Sequence, residues 1–353
     1  MRQALAKGDH EQLWSLQYLR AIAAILVVIG HAVQIVPLHG RGDGFREFPI
    51  GGAGVDIFFV ISGFIMCHIS ATQPTSGWQF FKRRLARVGP AYWIVTLATS
   101  VAILLLPSLF RSSTVTLPLF LASMAFIAWP NPGLNAAMPV FLIGWTLNYE
   151  FYFYALFALA IALLPARPWL LVGLIFAISW ALGAWVRPDN LIAQFYTHPI
   201  TLEFVGGMAL WKAYRAGWLQ SAIWGFALVV MGTTLLGWVN WAVPIARMDA
   251  MRALYWGLPG LILVAGALCF DGAGRVWHSP IWKLLGDASY SIYLIHFLSL
   301  GIVRLVWGQF GLKHHFPDIV LVLCAVIASL FASLIFYWLV ERPASAAVRR
   351  ALR

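Results

Sequence analysis

The chain is written in long apolar runs separated by short polar segments rich in basic residues. Taking about 20 residues as the length that crosses hydrocarbon, ten spans are predicted near residues 15–37, 50–70, 90–107, 139–164, 168–187, 198–212, 220–240, 253–270, 288–310 and 317–340. A further apolar stretch, TLPLFLASMAFIAW at 116–129, has only 14 residues and runs into PNPG, so it is expected to be re-entrant or interfacial. Between the runs there is no hydrophilic stretch large enough for a second globular unit. The pattern therefore predicts one all-α, polytopic membrane helical bundle over residues 1–353.

Composition supports this, because a chain that is 61% hydrophobic and 10% charged has more apolar surface than a soluble fold of its length could hide. The net charge of +11 does not point to nucleic acid, since the basic residues flank apolar runs, where they set topology. With ten spans and the N-terminus inside, fifteen Lys and Arg fall in cytoplasmic segments and seven in outer loops, so both termini are expected to be cytoplasmic. An eleventh span would place the basic tail ERPASAAVRRALR outside. The polar opening and the long first run, which lacks a small-residue cleavage pattern, favour a first helix that is retained. Cys67, Cys269 and Cys324 lie in apolar runs without metal-ligand spacing and read as buried small hydrophobes.

A few polar residues inside the spans carry the chemical interest, because ionisable groups are costly in hydrocarbon. LQYLRAIAAILVVIGHA, residues 16–32, holds Arg20 and His31. Eleven residues at about 100° each make three turns plus roughly 20°, so both side chains project from one stripe, about 16 Å apart along the axis. Arg20 either snorkels to the inner headgroups or lines something wet, and His31 either bonds to a neighbouring helix or does chemistry; their common stripe favours a cavity. Asp56, in GGAGVDIFFVISGFIMCHI, either caps the second span or, returned by a short hairpin, orients His31 as a carboxylate orients a general base. Ser62 and Gly63 read as close-packing residues.

In FFKRRLARVGPAYW, before the third span, Arg84 and Arg87 share a helical face. Two guanidiniums there suit a phosphorylated ligand, while a topological anchor also explains the cluster. Glu150 in GWTLNYEFYFY and Glu203 in PITLEFVGGM each require a partner or water; Glu150 is a candidate for orienting substrate or an arginine, Glu203 for a structural pair. In LGDASYSIYLIH, Ser289, Tyr293 and His296 recur at i, i+4 and i+7, a face that either lines a cavity or bonds between helices. The chain has no HExxH, Walker lysine or GxSxG motif, the adjacent His314 and His315 are weak metal candidates, and no metal is expected.

In order and spacing, LQYLRAIAAILVVIGHA, GVDIFFVISGF, FKRRLARVGPAYW, GWTLNYEFYFY, EFVGGM, SYSIYLIH and YWLVERP resemble the integral-membrane acyltransferase-3 family nearly end to end. The likeness is greatest to the branch that O-acetylates bacterial exopolysaccharides and extends to Nod-factor and O-antigen acetyltransferases. The resemblance implies a ten-helix inner-membrane fold that takes an acyl group from cytoplasmic acyl-CoA, usually acetyl-CoA, and delivers it to a hydroxyl of a cell-surface glycan. It implies roles as well: His31 matches the family's essential histidine, Arg20 its first-helix arginine, and Arg84 with Arg87 the paired arginines associated with acyl-CoA. Trp145, Leu147 and Glu150 match a tryptophan–serine–leucine motif with a downstream glutamate, Thr146 replacing the serine but keeping a hydroxyl. Some relatives carry an added C-terminal hydrolase-like domain; this chain ends soon after Pro343 and is expected to act without one or with a separate periplasmic partner.

The expected function is thus a membrane O-acyltransferase with His31 as general base. Asp56 and Glu150 support it, Arg20, Arg84 and Arg87 hold the donor, and Trp145, Thr146, Tyr293 and His296 position substrate. One rival is a proton-coupled transporter of a polysaccharide precursor or small solute, with His31, Asp56 and Glu150 relaying protons. Another keeps the fold and changes the donor to succinyl-CoA or a longer acyl-CoA.

Overall fold

A computed structural model describes residues 13–36, 49–107, 114–244, 247 and 251–352. The polar opening and most of the first outer loop lie outside the described residues. The helices are α1 (Trp14–Gln34), α2 (Ala53–Thr72), α3 (Gly77–Leu105), α4 (Leu117–Met124), α5 (Trp145–Leu163), α6 (Pro168–Val186), α7 (Leu191–Tyr196) and α8 (Thr201–Arg215), followed by α9 (Ala222–Ala242) and α10 (Leu258–Gly272). The chain then forms α11 (Pro280–Asp287), α12 (Ser289–Gln309), α13 (Asp318–Phe336) and α14 (Arg342–Ala351). Two π-helical turns, Ala253–Gly257 and Tyr337–Glu341, lead into α10 and α14. The only pairing of extended backbone among the described residues is an isolated bridge between Pro130 and Ala137.

Among the described residues, nine helices are long and apolar enough to cross a membrane, and the chain is a multi-pass membrane protein. The predicted span at 198–212 is the one that falls short. It is α8, only 15 residues, or about 22 Å at 1.5 Å per residue, against roughly 30 Å of hydrocarbon. α8 nevertheless runs parallel to α2 inside the bundle: Glu203 lies beside Asp56, and Trp211 shares a small cavity with Ser70 and Ala71. Between these points a Cβ on Gly63 would stand 2.1 Å from the Phe204 carbonyl oxygen, and one on Gly207 would stand 2.0 Å from that of Val60. Only glycine permits two backbones this close.

Two other elements depart from their predicted bounds. α3 begins 13 residues before the predicted span at 90–107, so Arg84 and Arg87 lie inside the helix rather than ahead of it; the Ser76 hydroxyl caps its start by accepting from the Gln79 N–H. Residues 116–129 form the short α4 and then a turn at Phe126, whose φ of +58° is unusual for a bulky residue. Its ring is held by stacking on Phe151, 3.6 Å between centroids, and by packing against Tyr92. Phe59, Phe153, Phe176 and Phe204 continue this aromatic core. Large apolar side chains such as Leu104, Ile223, Ile327 and Leu339 face outward, and so does Cys324, against the expectation that it is buried. That surface suits a solvent of lipid.

One ion pair pins the bundle near the start of α2. Asp56 is fully buried and accepts from Arg252 Nε at 3.0 Å and Nη2 at 2.7 Å, while Nη2 also donates to the Gly52 carbonyl at 3.1 Å. The guanidinium carbon lies 4.6 Å from the Trp256 ring centroid and 5.5 Å from that of Trp145. The fork is thus bidentate and enclosed by aromatic faces. Removing one member strands the other charge, so Asp56→Ala is expected to destabilise by about 3–5 kcal/mol. Asp56→Leu combined with Arg252→Met should recover much of that loss. Thermal unfolding in detergent checks both, and an unchanged midpoint for Asp56→Ala would contradict the pairing.

Candidate active site

The bundle encloses a cavity of about 1000 Å³ between α1, α2, α3, α5, α8 and α12. Along α2 its lining runs from Gln73 to Val55, eighteen residues or about 27 Å. At one end lie Leu13, Thr72 and Arg215, of which Thr72 and Arg215 are exposed, so the cavity opens there. At the other end Phe58, Phe59, Thr146, Leu147 and Tyr293 close it.

The middle of the cavity holds the charge. Arg20 from α1 and Arg84 and Arg87 from α3 line it together. Arg20 donates to Gln17 Oε1 at 3.2 Å. Arg84 stacks on Phe80, with its guanidinium carbon 5.8 Å from the ring centroid, and its Nε is buried without a hydrogen-bond partner. Glu150 faces the same space, accepting from Ser62 Oγ at 3.1 Å and from the Tyr154 hydroxyl. Arg84 lies within electrostatic reach of Glu150 and Tyr154, and Arg20 within reach of Arg87 and Glu341. The π-helical turn at Tyr337–Glu341 brings Glu341 inward, where Ser291 Oγ donates to it at 2.5 Å. Nearby, the Arg87 carbonyl accepts from Ser345 Oγ at 3.1 Å, tying α3 to α14.

The closed end is built by hydroxyls. Thr146 Oγ1 donates to the Tyr293 hydroxyl at 2.9 Å, and that hydroxyl donates to the Ile143 carbonyl at 2.9 Å. Behind Tyr293 lie the two histidines. His296 is fully buried, and its Nδ1 stands 2.6 Å from the Tyr293 carbonyl and 3.2 Å from that of Ile292. Facing only acceptors, Nδ1 carries the proton, which leaves Nε2 with a lone pair. His31 Nδ1 lies 3.3 Å from that Nε2 and 3.0 Å from the Val27 carbonyl. It therefore donates, and His31 Nε2 is left unprotonated, the form a general base requires.

The structure separates groups that the sequence placed together. Asp56 does not orient His31. Gly54 packs on the Ala23 carbonyl, eight residues before His31, so the register of α2 on α1 sets the carboxylate about 12 Å of helix rise away, where Arg252 takes it. The group beside His31 Nδ1 is His296 instead. Glu150 belongs to the cavity, and Trp145 packs against Arg252 and Tyr149. His31 is half-buried and does not line the cavity; the Tyr293 ring, 5.9 Å from that of His296, intervenes. Three contributors escaped the sequence reading. Arg252 precedes the predicted span at 253–270, Ser62 reads from sequence as a packing residue, and Tyr154 has only its i+4 spacing from Glu150, which puts both on one helical face, to signal it.

Comparisons with known proteins place the chain that carries this cavity among acyltransferases. Residues 13–338 match the family model described as an acyltransferase domain. The exopolysaccharide production protein ExoZ of Rhizobium meliloti is 35% identical over 305 residues, covering 84% of this chain and 90% of that protein. Nodulation protein 10 of Rhizobium leguminosarum bv. viciae is 27% identical over 314 residues, covering 79% and 81%. The O-acetyltransferase OatA of Staphylococcus aureus is 25% identical over 370 residues, covering 94% of this chain but 58% of that longer protein. No solved structure matches the chain. With the family match running through nearly all the described helices, the chain belongs to this acyltransferase family.

Proposed function

We propose that this membrane acyltransferase moves an acyl group, acetyl in the first instance, from cytoplasmic acyl-CoA to a hydroxyl of a cell-surface glycan. The observation that carries the reading is the cavity: three guanidiniums at mid-depth, an open basic end, and a histidine pair behind the closed end. We place it in the bacterial inner membrane with both termini cytoplasmic, so that the open end faces the acyl-CoA pool. It acts as one unit over residues 1–353, without a metal, and hands its product to the glycan directly or through a separate periplasmic partner.

In this reading Arg20, Arg84 and Arg87 neutralise donor phosphate and hold the carrier, because guanidiniums suit phosphate oxygens and the enclosed site strengthens the attraction. Glu150, fixed by Ser62 and Tyr154, keeps Arg84 aimed into the cavity. The thioester reaches the Tyr293–Thr146 wall that closes the cavity, a wall held rigid because both hydroxyl protons are already bonded, one to Tyr293 and one to the Ile143 carbonyl. Trp145, next to Thr146, and His296 hold the acceptor side in place. His31 Nε2 removes the proton from a glycan hydroxyl, and the alkoxide oxygen forms a bond to the thioester carbonyl carbon. The carbon–sulfur bond breaks, and the thiolate leaves with the proton His31 took. His296 supports the imidazolium formed in between, the part a carboxylate plays elsewhere. The proton-relay alternative loses its continuity here, because His31, Glu150 and Asp56 occupy three separate environments.

Two sets of variants test this. His31→Ala in membranes should bind acetyl-CoA as the parent does while transfer to glycan falls by about 10²–10⁴-fold, the usual weight of a general base. Mass spectrometry of surface glycans reads the outcome: an acetyl increment is expected with the parent chain, a succinyl or longer increment would change the donor, and normal acetylation by His31→Ala would refute the base assignment. Separately, Arg84→Gln with Arg87→Gln should weaken acetyl-CoA binding by about tenfold or more. Unchanged affinity in a filter-binding assay would return those arginines to a topological role.

A further inference from the structure

We propose that the lipid-facing side of α12 around Arg304 is an entry site for the acceptor, where a saccharide tethered to a membrane lipid through phosphate is held with its hydroxyls toward His31. The inference rests on the acyl-transfer reading and deepens it: it names how the acceptor is anchored and from which side it arrives.

Arg304 is the guanidinium that the fold leaves unexplained. Arg20, Arg84 and Arg87 turn into the cavity, and Arg252 meets Asp56. Arg304 stands inside the 21-residue span α12, exposed among the exposed apolar side chains of Ile302, Leu305 and Val306. It lies five residues before the helix end at Gln309, about 7.5 Å of rise. No ion pair holds it among the described residues. A charge kept on a lipid-facing surface requires a partner that the membrane brings, and a guanidinium near the end of a span reaches phosphate.

The surroundings of Arg304 favour a seated occupant over bulk headgroups. Phe297, Gly301, Arg304 and Gly308 recur at i, i+4, i+7 and i+11, a stripe about 60° wide. A Cβ on Gly301 or on Gly308 would meet nothing within 4 Å, so the helix backbone is bare one turn before and one turn after the guanidinium. Glycine inside a helix costs about 1 kcal/mol relative to alanine, and no contact among the described residues calls for it at either position. The notch is room for a partner. A second copy of the chain does not suit it, because a two-fold contact through this stripe would set Arg304 against its own counterpart. An anion on an apolar tail suits both the charge and the flanks.

The stripe also leads to the chemistry. At its foot the exposed Phe297 ring meets the half-buried His31 edge-on, with centroids 6.1 Å apart and planes at 89°. Arg304 is seven residues further along α12, or about 10 Å. A phosphate held at Arg304 therefore leaves the first sugars of its saccharide beside His31.

The test uses the full-length chain in phosphatidylcholine nanodiscs, saturating acetyl-CoA and two acceptors. One is the lipid-linked saccharide extracted with organic solvent from membranes of cells that lack this chain, and the other is the same saccharide freed from lipid and phosphate by mild acid. Arg304→Gln is expected to lower kcat/KM for the lipid-linked acceptor about tenfold, as one lost charge-assisted contact would give. Its kcat/KM for the freed saccharide should equal that of the parent, which also reports that the variant is folded. Arg304→Lys, which keeps the charge, should retain most of the activity on the lipid-linked acceptor, and Gly301→Leu, which fills the notch, should lose it as Arg304→Gln does. An Arg304→Gln chain that uses both acceptors as the parent does, or one that loses both alike as a plain headgroup anchor would, overturns the entry site and leaves the acyl-transfer reading standing. A parent that acetylates neither acceptor overturns the acyl-transfer reading itself.

Discussion

Guanidinium groups cannot be left against hydrocarbon, and that constraint organises the structure. Arg20, Arg84 and Arg87 all lie within helices long and apolar enough to span a membrane. Each would cost several kcal/mol in lipid. The bundle meets the cost by turning all three into one cavity, closing it with hydroxyls at one end and leaving it open at the other. Glu150 and Glu341 stand close enough to balance part of the charge without neutralising it. What remains is a positive chamber inside the bundle, a place where an anion gains what lipid would deny it.

The same economy separates the roles of the ionisable groups. Asp56 and Arg252 pair beside two tryptophans and serve the frame. The arginines and Glu150 serve the chamber. His31 and His296 form a pair of their own beyond Tyr293, with every polar hydrogen directed and one nitrogen left bare. In the proposed reaction the Tyr293–Thr146 contact is where donor and acceptor meet, so one layer of side chains keeps the carrier on its own side while the acyl group crosses.

Much of this was legible in the chain. Nine of the spans followed from apolar length; the cost of charge in lipid singled out Arg20, and a shared helical face singled out Arg84 and Arg87, which a topological anchor explained equally well. Periodicity put Ser289, Tyr293 and His296 on one side of α12, and in the structure Ser289 and Tyr293 line the cavity while His296 lies behind Tyr293. What escaped depends on facts that helical period cannot carry. The partner of Asp56 was misjudged because a hairpin fixes that two helices are neighbours but not their register, and here Gly54 on Ala23 decides it. α8 was extended into a full span because its glycines look like any small residues, whereas their use is to let a short helix lie against the backbone of α2. The start of α3 was missed because its first three turns are basic and read as a loop until Ser76 is seen to cap them.

The central claim is that an acyl group taken from a carrier on one face of the bilayer is delivered to an acceptor on the other. Its most direct measurement is transfer across sealed vesicles holding the reconstituted chain in known orientation, with acetyl-labelled acetyl-CoA on the side of the open cavity and an acceptor saccharide on the opposite side. The account predicts label on the saccharide and free CoA on the donor side. Label that reaches the saccharide only when donor and acceptor share one side, or that never leaves the donor, would contradict it.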